Sequence, residues 1–348
     1  VLEIPAIDEI ELSPGQVVLR VDNFSVTANN VTYAAMGEAM SYWEFFPSDE
    51  GLGRIPVWGY SEVARSEHDD VAVGTRLYGY MPMSTHFVVE PVDVSSSGFV
   101  DGAAHRTDLP AIYNRYGLAT PESGDTPERE PYVALFAPLF TTSWLLADEL
   151  VEENFHGAKR LLISSASSKT AIALAFLLQR DHDDEVELIG LTSARNEDFV
   201  LETGLFDDVI GYDDLEELDT ASPTAYLDFG GNADLRGRIH SHFGESLVAS
   251  TVVGAADWEG LAPEGQAEPL PGPHPGFFFA PTRIAKRNED WGAGEVRRRV
   301  SKDQNEFIDS SKAWLTIRTA QGADGIGSTL KAFLDGDVDP SEGWTVTP

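Results

Sequence analysis

The chain of 348 residues contains no cysteine. Disulfides, a cysteine nucleophile and a thiolate-bound zinc are excluded together. Lysine is scarce and arginine carries most of the positive charge. Lys and Arg total 24 against 58 Asp and Glu, a net charge of −34 at pH 7. Such a surface repels phosphate backbones and anionic lipid, so neither a nucleic-acid partner nor a membrane is expected. Two origins fit the acidity, a surface adapted to a saline habitat or simply a very acidic soluble enzyme. No uninterrupted apolar run approaches membrane-spanning length. The segment VLEIPAIDEI has neither a basic region nor an apolar core and does not read as a signal peptide. A cytoplasmic location is the expectation. Metal-ligand spacing is missing too: His240 and His242 are two apart on an expected helix and cannot face one ion. There is also no G-x-S-x-G elbow for a serine hydrolase.

What is present is enough apolar sequence, 42% with 10% aromatic, for packed cores in two domains. Residues 1–130 read as a β-rich domain of short strands punctuated by Gly and Pro. Val17–Val21, Phe24–Asn29, Val71–Tyr80 and His86–Glu90 are extended, and residues 101–131 are a long loop. From Val133 the texture changes to alternating helices and strands. A helix over Leu139–Glu153, capped by Thr141 or Thr142, precedes strands at Leu161, Glu187–Leu191, Asp208–Gly211, Thr224–Phe229, Ser246–Gly254 and Gly276–Ala280. Strands alternating with helices predict a parallel sheet covered on both faces, an α/β domain over residues 131–282. Residues 283–348 add helices and strands that return to the first domain.

The stretch Leu161–Arg180, LLISSASSKTAIALAFLLQR, runs from apolar strand through a loop of small polar residues into an apolar-periodic helix. That order is the phosphate-binding corner of a dinucleotide fold. Ser165, Ser168 and Ala171 stand where glycines are expected, and Lys169 sits among them. Serine hydroxyls can donate to phosphate while the helix N-terminus supplies amides and positive dipole. A lysine in a first helical turn is unfavourable without an anion nearby. A P-loop does not fit, because Ser168 and Ile163 occupy both of its glycine positions. At the end of the second strand, Leu191-Thr192-Ser193-Ala194-Arg195 holds no acid for ribose hydroxyls. Arg195 can meet a 2′-phosphate bidentately, with Ser193 beside it, which favours NADP over NAD.

Taken in order, several segments carry a resemblance: Val26–Gly37, Ile55-Pro56-Val57-Trp58-Gly59, Gly74-Thr75-Arg76-Leu77-Tyr78-Gly79, Pro138–Trp144 and Asp228-Phe229-Gly230-Gly231. The chain resembles the medium-chain dehydrogenase/reductase superfamily, in its zinc-independent, quinone-oxidoreductase-like branch. The SSASSKTA loop is closer still to a subfamily described only as a domain of unknown function. The resemblance implies a Rossmann doubly wound parallel sheet plus an N-terminal GroES-like β-rich domain, and a homodimer. It also implies roles. Tyr33, Tyr42 and Asn30 would face the nicotinamide as proton donors and carbonyl holder. Thr142, Ser165, Ser168, Lys169, Thr170, Ser193, Arg195, Gly230, Gly231 and Gly254 would hold the cofactor. Arg283 and Lys286, in the most basic run of the chain, would border the substrate, unless they pair with neighbouring acids. The expected activity is metal-free, NADP-dependent hydride transfer to a small conjugated carbonyl or quinone-like compound. The alternative is a non-catalytic or divergent ligand-binding member of the same fold with an altered cofactor site.

Overall fold

The computed structural model describes residues 5–49, 51–120, 125–253 and 270–348. They divide into two units, residues 1–135 with 316–348, and residues 136–315. The two helices that follow Pro281 therefore belong to the second unit, whereas only the chain from Thr316 onward returns to the first.

The first unit contains β1 (Val17–Val26), α1 (Ala28–Ala35), β2 (Pro56–Ser66), β3 (Arg76–Pro82), β4 (His86–Val89), β5 (Pro91–Ser95), β6 (Gly98–Asp101) and β7 (Arg115–Leu118). The chain then enters α2 (Glu130–Glu152), a helix divided between the units after Leu135. Strand β1 organises this unit. Register shifts between Val18 and Leu19 and between Val21 and Asn23 bend it. One edge pairs with β2 throughout, and the other pairs with β4 along Val17–Arg20 and with the C-terminal strand along Phe24–Val26. Bulges of this kind increase local twist and let one strand serve two partners. Val17, Val18, Leu19 and Phe24 are fully buried as a result.

Two sequence expectations change here. Residues 28 and 29 are not extended but open α1, where the Asn30 side chain accepts from Thr27 N at 2.7 Å as a helix-start cap. Pro56–Gly59 opens β2, where a Cβ on Gly59 would lie 2.2 Å from Asn23 O, so close passage of β1 is what requires glycine. The expected loop at 101–131 contains β7 and the start of α2, whose Glu130 takes a bidentate contact from Arg76 at 2.6 Å.

The second unit contains β8 (Arg160–Ile163), α3 (Lys169–His182), β9 (Glu187–Thr192), α4 (Glu197–Glu202), β10 (Asp208–Gly211), β11 (Thr224–Asp228), α5 (Ala233–Phe243), β12 (Leu247–Val252), β13 (Gly276–Phe277), α6 (Ala280–Trp291) and α7 (Ala293–Ser311). Its strands are parallel in the order β10-β9-β8-β11-β12-β13. This is the doubly wound 3-2-1-4-5-6 order of the Rossmann fold. Strands covered on both faces must be apolar throughout, and Leu161, Leu162 and Ile163 are fully buried. Helix α3 packs Ile172, Leu174, Leu177 and Leu178 inward, each contributing roughly 1.5–3 kcal/mol on burial.

Helix α2 is the one described helix long and apolar enough to cross a membrane by composition, but 61% of that window is buried in the fold. Thr141 and Thr142 lie in its middle and cap nothing. Their hydroxyls donate back to the carbonyls of Ala137 and Pro138, at 2.7 and 3.1 Å. Buried Ser143 donates to Thr170 O at 2.7 Å, tying α2 to the first turn of α3. Trp144 Nε1 donates to Asp303 at 2.8 Å, tying α2 to α7.

After α7 the chain returns to the first unit as β14 (Thr316–Gln321), α8 (Gly322–Asp335) and β15 (Glu342–Thr347), a parallel β-α-β addition that docks on β1 through β15.

Candidate dinucleotide site

In an open parallel sheet, ligands bind beyond the C-terminal strand ends where the strand order reverses. Here that point lies between β8 and β11, and the loops leaving them are Ser164–Ser168 and Phe229–Asn232. Asp228, fully buried at the end of β11, fastens one loop to the other. Its Oδ1 accepts from Ser164 Oγ at 3.2 Å, Gly230 N at 3.1 Å and Gly231 N at 2.8 Å. Its Oδ2 accepts from Arg236 Nη1 at 2.7 Å. Ser164 Oγ in turn accepts from Phe229 N at 3.1 Å. A buried carboxylate with this many donors, one of them charged, holds the corner rigid.

Within the β8–α3 loop, Ser165 takes a left-handed φ of 49°. This is a glycine conformation, and for serine it costs about 1–2 kcal/mol. The reason the position tolerates serine is local pairing: Ser165 N donates to the Tyr212 hydroxyl at 3.0 Å. Ser168 Oγ caps α3 by accepting from Ala171 N at 3.2 Å, so it keeps only its own proton for a phosphate. Ser167 Oγ accepts from Asn196 Nδ2 at 3.1 Å. Lys169 and Thr170 are half-buried in the first turn of α3, where unsatisfied amides and the helix dipole favour an anion.

Space around the corner is set by glycines. A Cβ on Gly230 would lie 2.9 Å from Ser165 Oγ, and Gly231 has a φ of 71°. A Cβ on Gly190 would lie 3.0 Å from Ala166 Cβ. Beyond β9, Ser193 is half-buried and Arg195 exposed, and Ser193 O accepts from Asn196 N at 2.8 Å. Thr142 sits beside Ser143 on α2 with its hydroxyl turned to Pro138 O. Gly254 lies outside the described residues. The structure thus brings Ser165, Ser168, Lys169, Thr170, Gly230 and Gly231 to one corner of the second unit. Sequence reasoning singled out the segment Asp228–Gly231 without giving Asp228 a role, and missed Ser164, Asn196, Tyr212 and Arg236 as parts of the corner. Tyr212 directly follows β10, and its place after a parallel strand is the signal that could have found it.

The other expected site residues have different partners. Arg283 is buried and donates to Asp148 Oδ2 at 2.7 Å, Asp148 O at 2.9 Å and Glu152 Oε2 at 2.5 Å. Lys286 donates to Glu152 Oε1 at 2.9 Å and Asp290 at 3.1 Å. Lys286 and Arg283 hold the Glu152 carboxyl down to about 2. The basic run is therefore a brace between α6 and α2, and these cations are spent on acids instead of awaiting a substrate.

In the first unit, Asn30 uses both ends of its amide on backbone, accepting from Thr27 N and donating to Pro56 O at 2.8 Å. Tyr33 and Tyr42 are buried in a ring cluster with Tyr80 and Tyr113, Tyr33 and Tyr42 having centroids 4.7 Å apart. Burial, and then the neighbouring Tyr42, raise the Tyr33 phenol above its ordinary value.

A Rossmann unit with a switch-point corner of this kind is accompanied in this chain by a mostly antiparallel, GroES-like β-rich unit. The comparison with solved structures agrees. CurA from Vibrio vulnificus in complex with NADPH matches with a TM-score of 0.61 at 13% identity, over 99% of this chain and 95% of that one. The yhdH oxidoreductase from Salmonella enterica in complex with NADP matches at 0.54 and 13%, over 99% and 94%. A putative NADPH:quinone reductase from Mesorhizobium loti matches at 0.55 and 12%, over 96% and 87%. No curated protein matches the chain in sequence. The chain belongs to the family described as Protein of unknown function (DUF2855), which it matches over residues 24–339.

Proposed function

We propose that the chain is an NADP-dependent oxidoreductase that reduces a small conjugated carbonyl or quinone-like compound without a bound metal. The observation that carries this reading is the corner itself, a β8–loop–α3 unit at the switch point whose neighbouring strand ends in Thr192, Ser193 and Arg195 with no acid. The NADPH and NADP complexes of the Vibrio and Salmonella proteins support it. When bound, the nicotinamide would supply the hydride. The first-turn amides of α3, with Lys169, Thr170 and the Ser168 proton, would hold the pyrophosphate. Ser193 and Arg195 would take the 2′-phosphate, and Gly230 and Gly231 leave room for close approach. Tyr33 and Tyr42 remain the proposed proton donors, since burial keeps a phenol protonated. Asn30 drops from the catalytic set because its amide is committed to backbone. A homodimer in the cytoplasm completes the proposal, and sizing chromatography tests the oligomer.

Calorimetric titration with NADPH tests the cofactor, and no binding at millimolar concentration would sink it. Arg195→Ala should weaken NADPH about ten- to a hundredfold, the loss of a charge-assisted contact, and leave NADH little changed. Equal losses for both would refute the 2′-phosphate assignment.

One observation favours a second reading, a divergent ligand-binding member. The Ser165 side chain occupies the space beside Gly230, and the Ser165 amide is turned to Tyr212. Density from crystals soaked in NADPH discriminates: a dinucleotide along the loop supports the first reading, and a blocked corner supports the second.

A further inference from the structure

The β8–α3 loop is sewn to the chain leaving β9 at three points. Ala166 N donates to Leu191 O at 3.0 Å, Thr192 Oγ1 donates to Ser167 Oγ at 3.4 Å and Asn196 Nδ2 donates to Ser167 Oγ at 3.1 Å. The two segments pass in contact, since a Cβ on Gly190 of β9 would lie 3.0 Å from Ala166 Cβ. Ser167 therefore lies on the β9 side of β8, opposite to Asp228 on β11.

Two features set Ser167 and Asn196 apart. A serine oxygen has two acceptor lone pairs and one proton to give. Both acceptor directions of Ser167 Oγ are taken, and its own proton is donated to no atom among the described residues. Thr192 is 1% exposed, so its hydroxyl has no solvent to turn to and stays on Ser167. Ser167 is half-buried and so still within reach of a ligand. Asn196 occupies the N-cap position of α4 yet makes no side-chain cap. Asparagine there ordinarily accepts from the amides of the first turn. Its amide is instead spent across the loop on Ser167. The result is a hydroxyl that can only donate, beside a strand end that holds no acid. A phosphate, which only accepts, is the complement of such a group. The Glu197 and Asp214 carboxylates do not sit with it. They flank Gly211 at the end of β10, on the other side of β9.

Resting on the NADP reading of this corner, we propose that Ser167 discriminates NADPH from NADH by donating its proton to the adenosine 2′-phosphate. Asn196 is a positioning residue, which holds the Ser167 hydroxyl in its donating orientation together with Thr192.

Calorimetric titration of the full chain with NADPH, NADH, 2′,5′-ADP and 5′-AMP tests this. Ser167→Ala should weaken NADPH and 2′,5′-ADP about ten- to a hundredfold, as for a lost hydrogen bond to a charged group, and leave NADH and 5′-AMP within about twofold. Ser167→Thr keeps the hydroxyl and should restore most of the affinity. Asn196→Ala should weaken the two 2′-phosphate ligands by about three- to tenfold, and should add little on top of Ser167→Ala, because it acts through that hydroxyl. No loss in Ser167→Ala, or an equal loss for NADPH and NADH, would overturn the role of Ser167 and leave the cofactor reading standing. Full additivity of the two substitutions would overturn the positioning by Asn196. Unaltered protein that binds none of the four ligands would overturn both the discrimination and the cofactor reading, so the two failures are told apart before any variant is made.

Discussion

Replacing Asp228 by alanine should destabilise the second unit more than loss of any surface acid. The carboxylate is fully buried and accepts four hydrogen bonds, from Ser164, Gly230, Gly231 and Arg236. Removing it leaves the Arg236 guanidinium, 13% exposed, without its countercharge. Breaking one side of a buried ion pair costs about 3–5 kcal/mol. The neutral donors add less than their nominal values, because Ser164 can rotate toward another acceptor. A total of about 4 kcal/mol is expected, within the range for that mechanism. For a unit of this size, about 2–4 °C per kcal/mol converts this to a fall in melting temperature of about 8–16 °C. Asp228→Asn keeps the shape but can accept on only one side, so it should cost about half as much. Arg236→Met should cost about 3–5 kcal/mol, because it strands the buried carboxylate. The double variant Asp228→Asn with Arg236→Met should be less destabilised than the sum by about 2 kcal/mol, since the two groups share one interaction. Differential scanning calorimetry at fixed salt and neutral pH reads all of these. A loss under about 1 kcal/mol for Asp228→Ala, or strict additivity of the pair, would show that the corner is not held as argued.

Buried His240 donates from Nδ1 to Pro271 O at 2.8 Å and accepts at Nε2 from Ser250 at 3.0 Å. Burial, and then the nearby Arg236, push its pKa below the usual histidine value against the opposing Pro271 contact. Its contribution to stability is therefore complete above the unfolded histidine pKa of about 6.5 and is lost as pH falls through the lower folded value. His240→Gln, which cannot titrate, should flatten the stability–pH slope below about pH 6.5; an unchanged slope would refute the assignment. Self-repulsion at net charge −34 should make the protein more stable as salt rises from low ionic strength, read as a rising melting temperature between about 10 and 500 mM KCl. A falling one would count against it. Gly59→Ala should destabilise the first unit by several kcal/mol, at the upper end for single substitutions, because its Cβ would meet backbone at 2.2 Å. Soluble, cooperatively folding Gly59→Ala protein of unchanged stability would show that β1 can move aside.

Much of the second unit was legible because each parallel strand is a short apolar run and each helix an apolar-periodic one. The strand expected at Glu187–Leu191 is β9 at Glu187–Thr192, and the expected Asp208–Gly211 is β10 exactly in place. The first unit was harder to read. Its two longest strands, β1 and β2, are interrupted by register shifts, so alternation breaks down, and α1 begins where the pattern suggested continued extension. The start of α2 was missed because the turn-forming prolines and acids before Val133 hid a helix that begins at Glu130.

The candidate corner divides the same way. The sequence by itself determined the position of the loop in the order of strands, the absence of an acid after β9 and the excess of negative charge, because each depends on local order or on composition. The tertiary structure alone decided how the polar atoms are paired. It turned the Ser165 amide to Tyr212, committed Ser168 to a helix cap, locked Asp228 onto Arg236 and gave Arg283 and Lys286 to the acids of α2. Ion pairs and hydrogen bonds join residues far apart in the chain. Their partners are fixed only when packing brings the elements together and burial makes an unpaired group costly.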